Sequence, residues 1–146
     1  MKDKVFIDTN IFIYSIDASP GQKRKAGIAR ELIKQYIRSG TGVISMQVLQ
    51  EFYQVSTQKI RVPLSTEDAL EYLQYMAVLE TVQPDFNMLV SAVYLHKRLK
   101  LSFWDALIVQ AASATNCSLL LTEDLQDELH VGDLIIRNPF IPNPND

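Results

Sequence analysis

Residues 5–10 constrain the fold more than any other stretch, because an apolar run there ends abruptly in an acid and two small polar residues. Val5, Phe6 and Ile7 are typical of a short strand buried on both faces, as in a parallel sheet. Asp8 then falls at the carboxyl end of that strand, where open α/β sheets place their ligands. A buried carboxylate is costly unless it is compensated. A metal ion could compensate it, and so could a local turn in which Asp8 bonds backbone N–H groups.

The remainder of the chain alternates between strand-like and helix-like patterns, which predicts one α/β domain with a parallel sheet. Further strands are predicted at residues 43–44, 80–82, 118–121 and 134–136, and helices are predicted to start near residues 23, 45, 65, 84 and 102, with a short one after residue 124. In the helix that starts at residue 84, the positions predicted to be buried are Phe86, Leu89, Val90, Val93 and Leu95. We place the domain at residues 1–137 and expect residues 138–146, which contain three prolines, to form a loosely held tail.

Net charge, cysteine content and hydropathy bear on nucleic-acid binding, on the redox compartment and on membrane association. The net charge of −3 is not what a nucleic-acid-binding protein usually carries, unless the acids gather at a metal site and the bases lie elsewhere. The single cysteine, Cys117, cannot form an internal disulfide and is expected to be buried in a reducing compartment. There is no signal-peptide pattern and no apolar run of the ~18 residues that a membrane span needs, so we expect a cytoplasmic protein with no membrane association.

Several acids are predicted to meet at one edge of the sheet. Asp8 and Asp124 each follow an apolar strand, and Asp105 lies in the first turn of a helix that leads into the fourth strand. Each acid has a simpler interpretation, since first-turn acids favour the helix dipole. Oxygen-only ligands of this kind suit Mg²⁺ or Mn²⁺, and neither histidine lies in these stretches, which disfavours zinc.

Four motifs, in this order, make the sequence resemble the PIN-domain ribonucleases, most closely the VapC-type toxins of toxin–antitoxin pairs. They are residues 6–11 (FIDTNI), 44–52 (ISMQVLQEF), 102–108 (SFWDALI) and 120–125 (LLTEDL). The resemblance implies a PIN-like three-layer sandwich with a central five-stranded parallel sheet flanked by helices.

Matching by motif implies which residues form the site. The family's acidic quartet falls on Asp8, Glu51, Asp105 and Asp124, with Thr9, Asn10 and Thr122 as supporting polar residues. Glu123 and Asp127 remain alternatives to Asp124 as the fourth acid. Glu51 has a competing interpretation as an exposed charge, because it shares a helix face with Gln47, Gln54 and Gln58.

The activity implied by the resemblance is metal-assisted hydrolysis of RNA with one or two Mg²⁺ or Mn²⁺ ions per site. The bases expected to contact RNA, or else to form solvated helix faces, are Lys23, Arg24, Lys25, Lys97 and Arg98. The implied partners are RNA, a second copy of the chain and an antitoxin protein. We expect a partner surface, or alternatively plain core, at Ile11, Phe12, Tyr14, Phe52 and Tyr53.

Two other functions compete with this one. A non-catalytic PIN-like module would bind RNA or protein only, and the full set of acids argues against it. A haloacid-dehalogenase-type phosphatase also starts with a strand that ends in Asp, but it needs a second acid two residues later, where this chain has Asn10.

Overall fold

The computed structural model describes residues 3–142, in which six strands and six α-helices form one α/β domain. The strands are Lys4–Ile7 (β1), Gly42–Ser45 (β2), Glu80–Val82 (β3), Cys117–Leu121 (β4), His130–Val131 (β5) and Leu134–Arg137 (β6). The helices are Thr9–Ile16 (α1), Lys23–Ser39 (α2), Met46–Gln58 (α3), Thr66–Met76 (α4), Phe86–Leu99 (α5) and Phe103–Ala114 (α6), with a 3₁₀ turn at Pro20–Gln22.

The strands form one sheet in the order β3-β2-β1-β4-β6-β5, in which the first five are mutually parallel. The predicted five-stranded parallel sheet therefore needs one correction, because β5 adds a sixth strand antiparallel to β6. Gly132, with φ of 59°, provides the left-handed turn between them. A strand of two residues is too short to leave a periodic pattern, so the sequence did not indicate it. The short helix predicted after Asp124 is also wrong, since residues 123–129 form bends and turns.

Three of the predicted helix starts are confirmed by side chains that bond the first-turn backbone. The hydroxyls of Ser45, Ser65 and Ser102 accept hydrogen bonds from the backbone N–H three residues later, at 3.4, 3.1 and 3.1 Å. Gly40 ends α2 with φ of 71°, which only a residue without Cβ adopts readily.

Three residues expected at a partner surface belong to the core instead. Ile11, Phe12 and Phe52 are fully buried, so of the two alternatives the core is confirmed for them and the partner surface is wrong. Tyr14 is half-buried, and Tyr53 remains 37% exposed.

Helix α5 reverses the burial that the sequence predicts for it. Phe86 is 75% exposed and Val93 is 48% exposed, Leu89 and Val90 are also exposed, and Ala92 is the buried residue. Leu95 alone of the five predicted positions packs partly against the core. Periodicity locates an apolar stripe on a helix, but it does not say whether another element covers that stripe, and α5 packs mainly against α6.

The predicted loose tail is also wrong for its first residues. Phe140 is buried, and its ring packs edge-on against Tyr14 at 4.9 Å between centroids. The Arg24 guanidinium donates to the Phe140 carbonyl at 2.8 Å. The rest of the predicted tail, residues 143–146, lies outside the described residues, and the domain boundary stays a prediction. Within the described part of the chain, no helix is both long and apolar enough to cross a membrane.

Candidate functional site

The carboxyl ends of β1 and β4 meet side by side at the centre of the sheet. Ile7 is in register with Leu121, and the Asp8 N–H donates to the Leu121 carbonyl at 3.1 Å. The chain leaves β1 for β2 on one side and reaches β4 on the other, so this edge is a topological switch point, where α/β sheets bind ligands. Parallel pairing of β1 with β4 therefore places Asp8 next to Thr122, although the two residues are far apart in the sequence.

Asp8 is both a helix cap and a buried acid, so the two interpretations of it do not exclude each other. Its Oδ1 accepts the Thr9 N–H at 2.7 Å at the start of α1, and its Oδ2 accepts the Thr122 hydroxyl at 2.8 Å. The pKa of Asp8 is raised to about 7, mainly by burial and to a lesser extent by the charges of Glu51 and Asp124, while the two hydrogen bonds lower it.

Glu51 is held in the same site, which contradicts its interpretation as an exposed charge. The Thr9 hydroxyl donates to Glu51 Oε2 at 2.8 Å, and the Gln47 amide donates to Oε1 at 2.7 Å. The Gln47 amide also reaches the Trp104 carbonyl at 3.2 Å, which ties α3 to the first turn of α6, where Asp105 lies. Sequence reasoning missed Gln47, although it sits one turn before Glu51 on the same helix.

Asn10 joins Asp124 to this network. Its amide donates to the Thr122 hydroxyl at 3.0 Å and to Asp124 Oδ2 at 3.1 Å, and its oxygen accepts the Glu123 N–H at 3.2 Å. Partial burial raises the pKa of Asp124, the Asn10 hydrogen bond lowers it, and the charges of Asp105 and Glu123 raise it. Asp105 is therefore close enough to Asp124 for the two charges to interact.

The two alternatives to Asp124 have other partners. Glu123 accepts the Lys25 ammonium at 2.5 Å and the Tyr14 hydroxyl, so its side chain is directed towards α1 and α2. Asp127 accepts the Asn138 N–H at 2.7 Å and so stabilises the chain after β6. Of the three candidates for the fourth acid, Asp124 is the one whose side chain bonds Asn10 and whose N–H bonds the Thr122 hydroxyl.

An open cleft of about 480 Å³ lies against these residues. Its polar lining comprises Thr9 and Asn10, the acids Asp17, Glu51, Glu123 and Asp124, and the bases Lys59 and Arg61. Asp8 and Thr122 are buried behind this surface.

The bases expected to contact RNA are not gathered at the cleft. Lys25 is paired with Glu123, Arg24 bonds the Phe140 carbonyl, and Lys23 is exposed at the start of α2. Lys97 and Arg98 lie at the end of α5, and Arg98 lines a different depression. Sequence reasoning missed the two bases that do line the cleft. One signal was available for Lys59, because residues 51, 55 and 59 share a helix face at a spacing of four.

The acids fit a hard divalent cation by donor type and charge. Every donor is a carboxylate, amide or hydroxyl oxygen, and the carboxylates destabilise one another's ionised forms, which a cation would reverse. Within residues 3–142, however, no three Asp, Glu, His or Cys side chains already surround a common point. The hydrogen bonds from Thr9, Asn10 and Thr122 hold the carboxylates around the cleft, so an ion would have to draw them together.

Fold and site thus define an α/β protein with a largely parallel sheet and an oxygen-only acidic site at the strand ends. The PIN domain family matches residues 5–128, and the chain belongs to this family. No curated protein matches it.

Several solved structures share the fold. A toxin–antitoxin complex from Klebsiella pneumoniae is 15% identical, covers 93% of this chain and 98% of that one, and has a TM-score of 0.70. VapBC2 from Rickettsia felis, bound to a DNA fragment from its promoter, is 22% identical over 92% and 97% of the two chains, with a TM-score of 0.64. VapC20 from Mycobacterium tuberculosis, a toxin that cleaves the sarcin-ricin loop, is 16% identical over 80% and 87%, with a TM-score of 0.58.

Proposed function

We propose that this chain is a divalent-metal-dependent ribonuclease and the toxin of a toxin–antitoxin pair. The observation that carries the proposal is the buried Asp8 at a strand end, with Glu51 and Asp124 close enough to raise its pKa. Membership of the PIN domain family and the similarity in fold to VapC20, a toxin named for RNA cleavage, support the same activity. An RNA substrate would place the protein in the cytoplasm.

In this proposal Asp8, Glu51, Asp105 and Asp124 hold one or two Mg²⁺ or Mn²⁺ ions. The bound metal would acidify a water molecule and stabilise negative charge on the phosphate. Ionised Asp8 would be stabilised by the cation, since burial and like charges otherwise favour its protonated form. Thr9 would orient Glu51 through its hydroxyl, and Asn10 would orient Asp124 through its amide.

The antitoxin is proposed to occupy an apolar groove between α3 and α4. The groove has a volume of about 550 Å³ and is lined mainly by apolar side chains, among them Met46, Leu49, Tyr53 and Leu73. Tyr53 is the one residue of the predicted partner set that is exposed on this surface. Complexes of toxin with antitoxin among the similar structures support a protein partner of this kind.

A second copy of the chain is proposed to cover α5. Phe86, Val90, Val93 and Tyr94 are all exposed on this helix, and Tyr94 is 70% exposed. Monomeric proteins rarely expose a contiguous apolar patch of this kind, and one helix face can pack against its own copy about a two-fold axis.

Cleavage of a defined substrate tests the proposed function. Purified protein is incubated with a labelled single-stranded RNA, the DNA of the same sequence and a simple phosphomonoester, each with Mg²⁺, Mn²⁺ or EDTA. RNA cleavage that requires the metal and is lost in Asp105→Asn is the expected result. RNA that is bound but never cut would favour the non-catalytic module, and hydrolysis of the phosphomonoester alone would favour the phosphatase.

A further inference from the structure

We propose that Lys59 and Arg61 form a phosphate-binding rim on the acidic cleft, which holds the RNA strand beside the phosphodiester that is cut. The inference rests on the proposed ribonuclease function and assigns substrate binding at that site to two residues. Both side chains line the same cleft as Thr9, Asn10, Glu51 and Asp124. The cleft is therefore lined by both acids and bases.

Neither Lys59 nor Arg61 is held by an acid within the part of the chain that the structure describes. Both are exposed, and neither takes part in the ion pairs found among residues 3–142. Lys25, by contrast, is held by Glu123 at 2.5 Å, which neutralises a base that the sequence suggested for RNA. The two rim bases are thus available to phosphate, whereas Lys25 already has a carboxylate partner.

The rim is held at a fixed distance from the acids by the end of α3. The loop that carries Arg61 lies between Lys59 and Leu64. The Lys59 N–H donates to the Val55 carbonyl at 2.9 Å and the Leu64 N–H donates to the Ser56 carbonyl at 2.9 Å, so both ends of this loop are anchored to α3. Lys59 caps the end of α3 and follows Glu51 by eight residues. At ~1.5 Å per residue the two Cα atoms are about 12 Å apart along the axis.

That separation assigns different tasks to the two parts of the cleft. The bases follow α3 and start about 12 Å beyond Glu51 along its axis, so they would bind phosphates of the nucleotides that flank the one at the metal. An acidic site repels an RNA strand, and flanking bases offset this repulsion where the strand passes. Because the whole chain has a net charge of −3, bases beside the acidic site are where they would reduce the repulsion of RNA most.

The test compares Lys59→Gln/Arg61→Gln with Lys34→Gln/Arg38→Gln. The control pair removes the same charge from the exposed side of α2, away from the cleft. We expect the rim variant to raise KM for RNA about tenfold while kcat stays within about twofold, because phosphate contacts position the substrate and do not react. The control should match wild type. A rim variant with the KM of the control would overturn the proposal.

A binding measurement keeps the inference separate from the ribonuclease activity. In the Asp8→Asn background, RNA affinity is measured by fluorescence anisotropy over a range of salt concentrations. Loss of two phosphate contacts should flatten the plot of log affinity against log salt by about 1.4, at ~0.7 per contact for a single strand. If wild type cuts no RNA but the rim variant still shows this change, the ribonuclease proposal fails and the rim stands. An unchanged slope overturns the rim whether or not RNA is cut.

Discussion

Replacing Asp8 with Asn is expected to stabilise the metal-free protein at high pH, even though it removes an acid from the proposed active site. Burial raises the pKa of Asp8 from 3.8 to about 7. At 1.36 kcal/mol per pH unit, ionising this carboxyl in the folded protein costs about 4 kcal/mol more than in the unfolded chain. The pKa is higher in the folded than in the unfolded chain. The stability that the protonated Asp8 contributes is therefore complete below pH 3.8 and is lost as the pH rises through about 7.

An asparagine side chain cannot ionise, so the Asp8→Asn variant avoids the free-energy loss at high pH and loses only a hydrogen bond. Its amide would face the Thr122 hydroxyl, which already accepts hydrogen bonds from Asn10 at 3.0 Å and the Asp124 N–H at 3.1 Å. A lost hydrogen bond costs about 1 kcal/mol. The net gain at pH 8 is therefore about 3 kcal/mol, or roughly 9 °C in Tm for a chain of this size. Near pH 4 the variant should be equal to wild type or slightly less stable.

Urea unfolding in EDTA at pH 4 and pH 8 measures this difference directly. Asp133→Asn, an exposed acid in the β5–β6 turn, serves as the control and should show no such pH-dependent difference from wild type. Equal stability of Asp8→Asn and wild type at pH 8, or a difference that does not change with pH, would refute the argument from burial.

Three further predictions concern the other acids and the oligomer. Glu51→Gln should lower the rate of RNA cleavage ~10-fold to 100-fold, whereas Gln54→Ala on the exposed side of α3 should not change it; equal rates would return Glu51 to a surface role. Asp124→Asn should abolish cleavage and Asp127→Asn should not, and loss confined to Asp127→Asn would reassign the fourth acid. Light scattering should show a dimer for wild type and a monomer for Val93→Glu, and a monomeric wild type at tens of micromolar would exclude the α5 interface.

The positions of Asp8 and Thr122 could be predicted from sequence because each follows a buried strand, and parallel strands end at the same edge of a sheet. Glu51 came only from the family motif, because its neighbours on α3 are glutamines that look solvent-exposed. Its actual partners, Thr9 and Gln47, depend on how α3 packs beside α1, which local pattern does not encode. Lys59 was missed although its spacing of eight residues from Glu51 puts it on the same helix face.

The errors at α5 and β5 have a different origin. The apolar stripe of α5 was identified, but a single sequence does not distinguish a stripe that the core covers from one left for another chain. Val93 at 48% exposure illustrates this. Strand β5 spans His130–Val131 and exists because β6 offers it an edge to pair with, not because its own residues favour a strand.

The rate of Mn²⁺-dependent RNA cleavage by Asp8→Asn, prepared in the same way as wild type, tests whether Asp8 belongs to a metal-dependent ribonuclease site. Because this variant is expected to be at least as stable as wild type at pH 8, a lost activity cannot be explained by unfolding. We expect a rate at least about 100-fold lower, since Asp8 is one of the carboxylates proposed to hold the metal. Cleavage at the wild-type rate by the folded Asp8→Asn protein would contradict it.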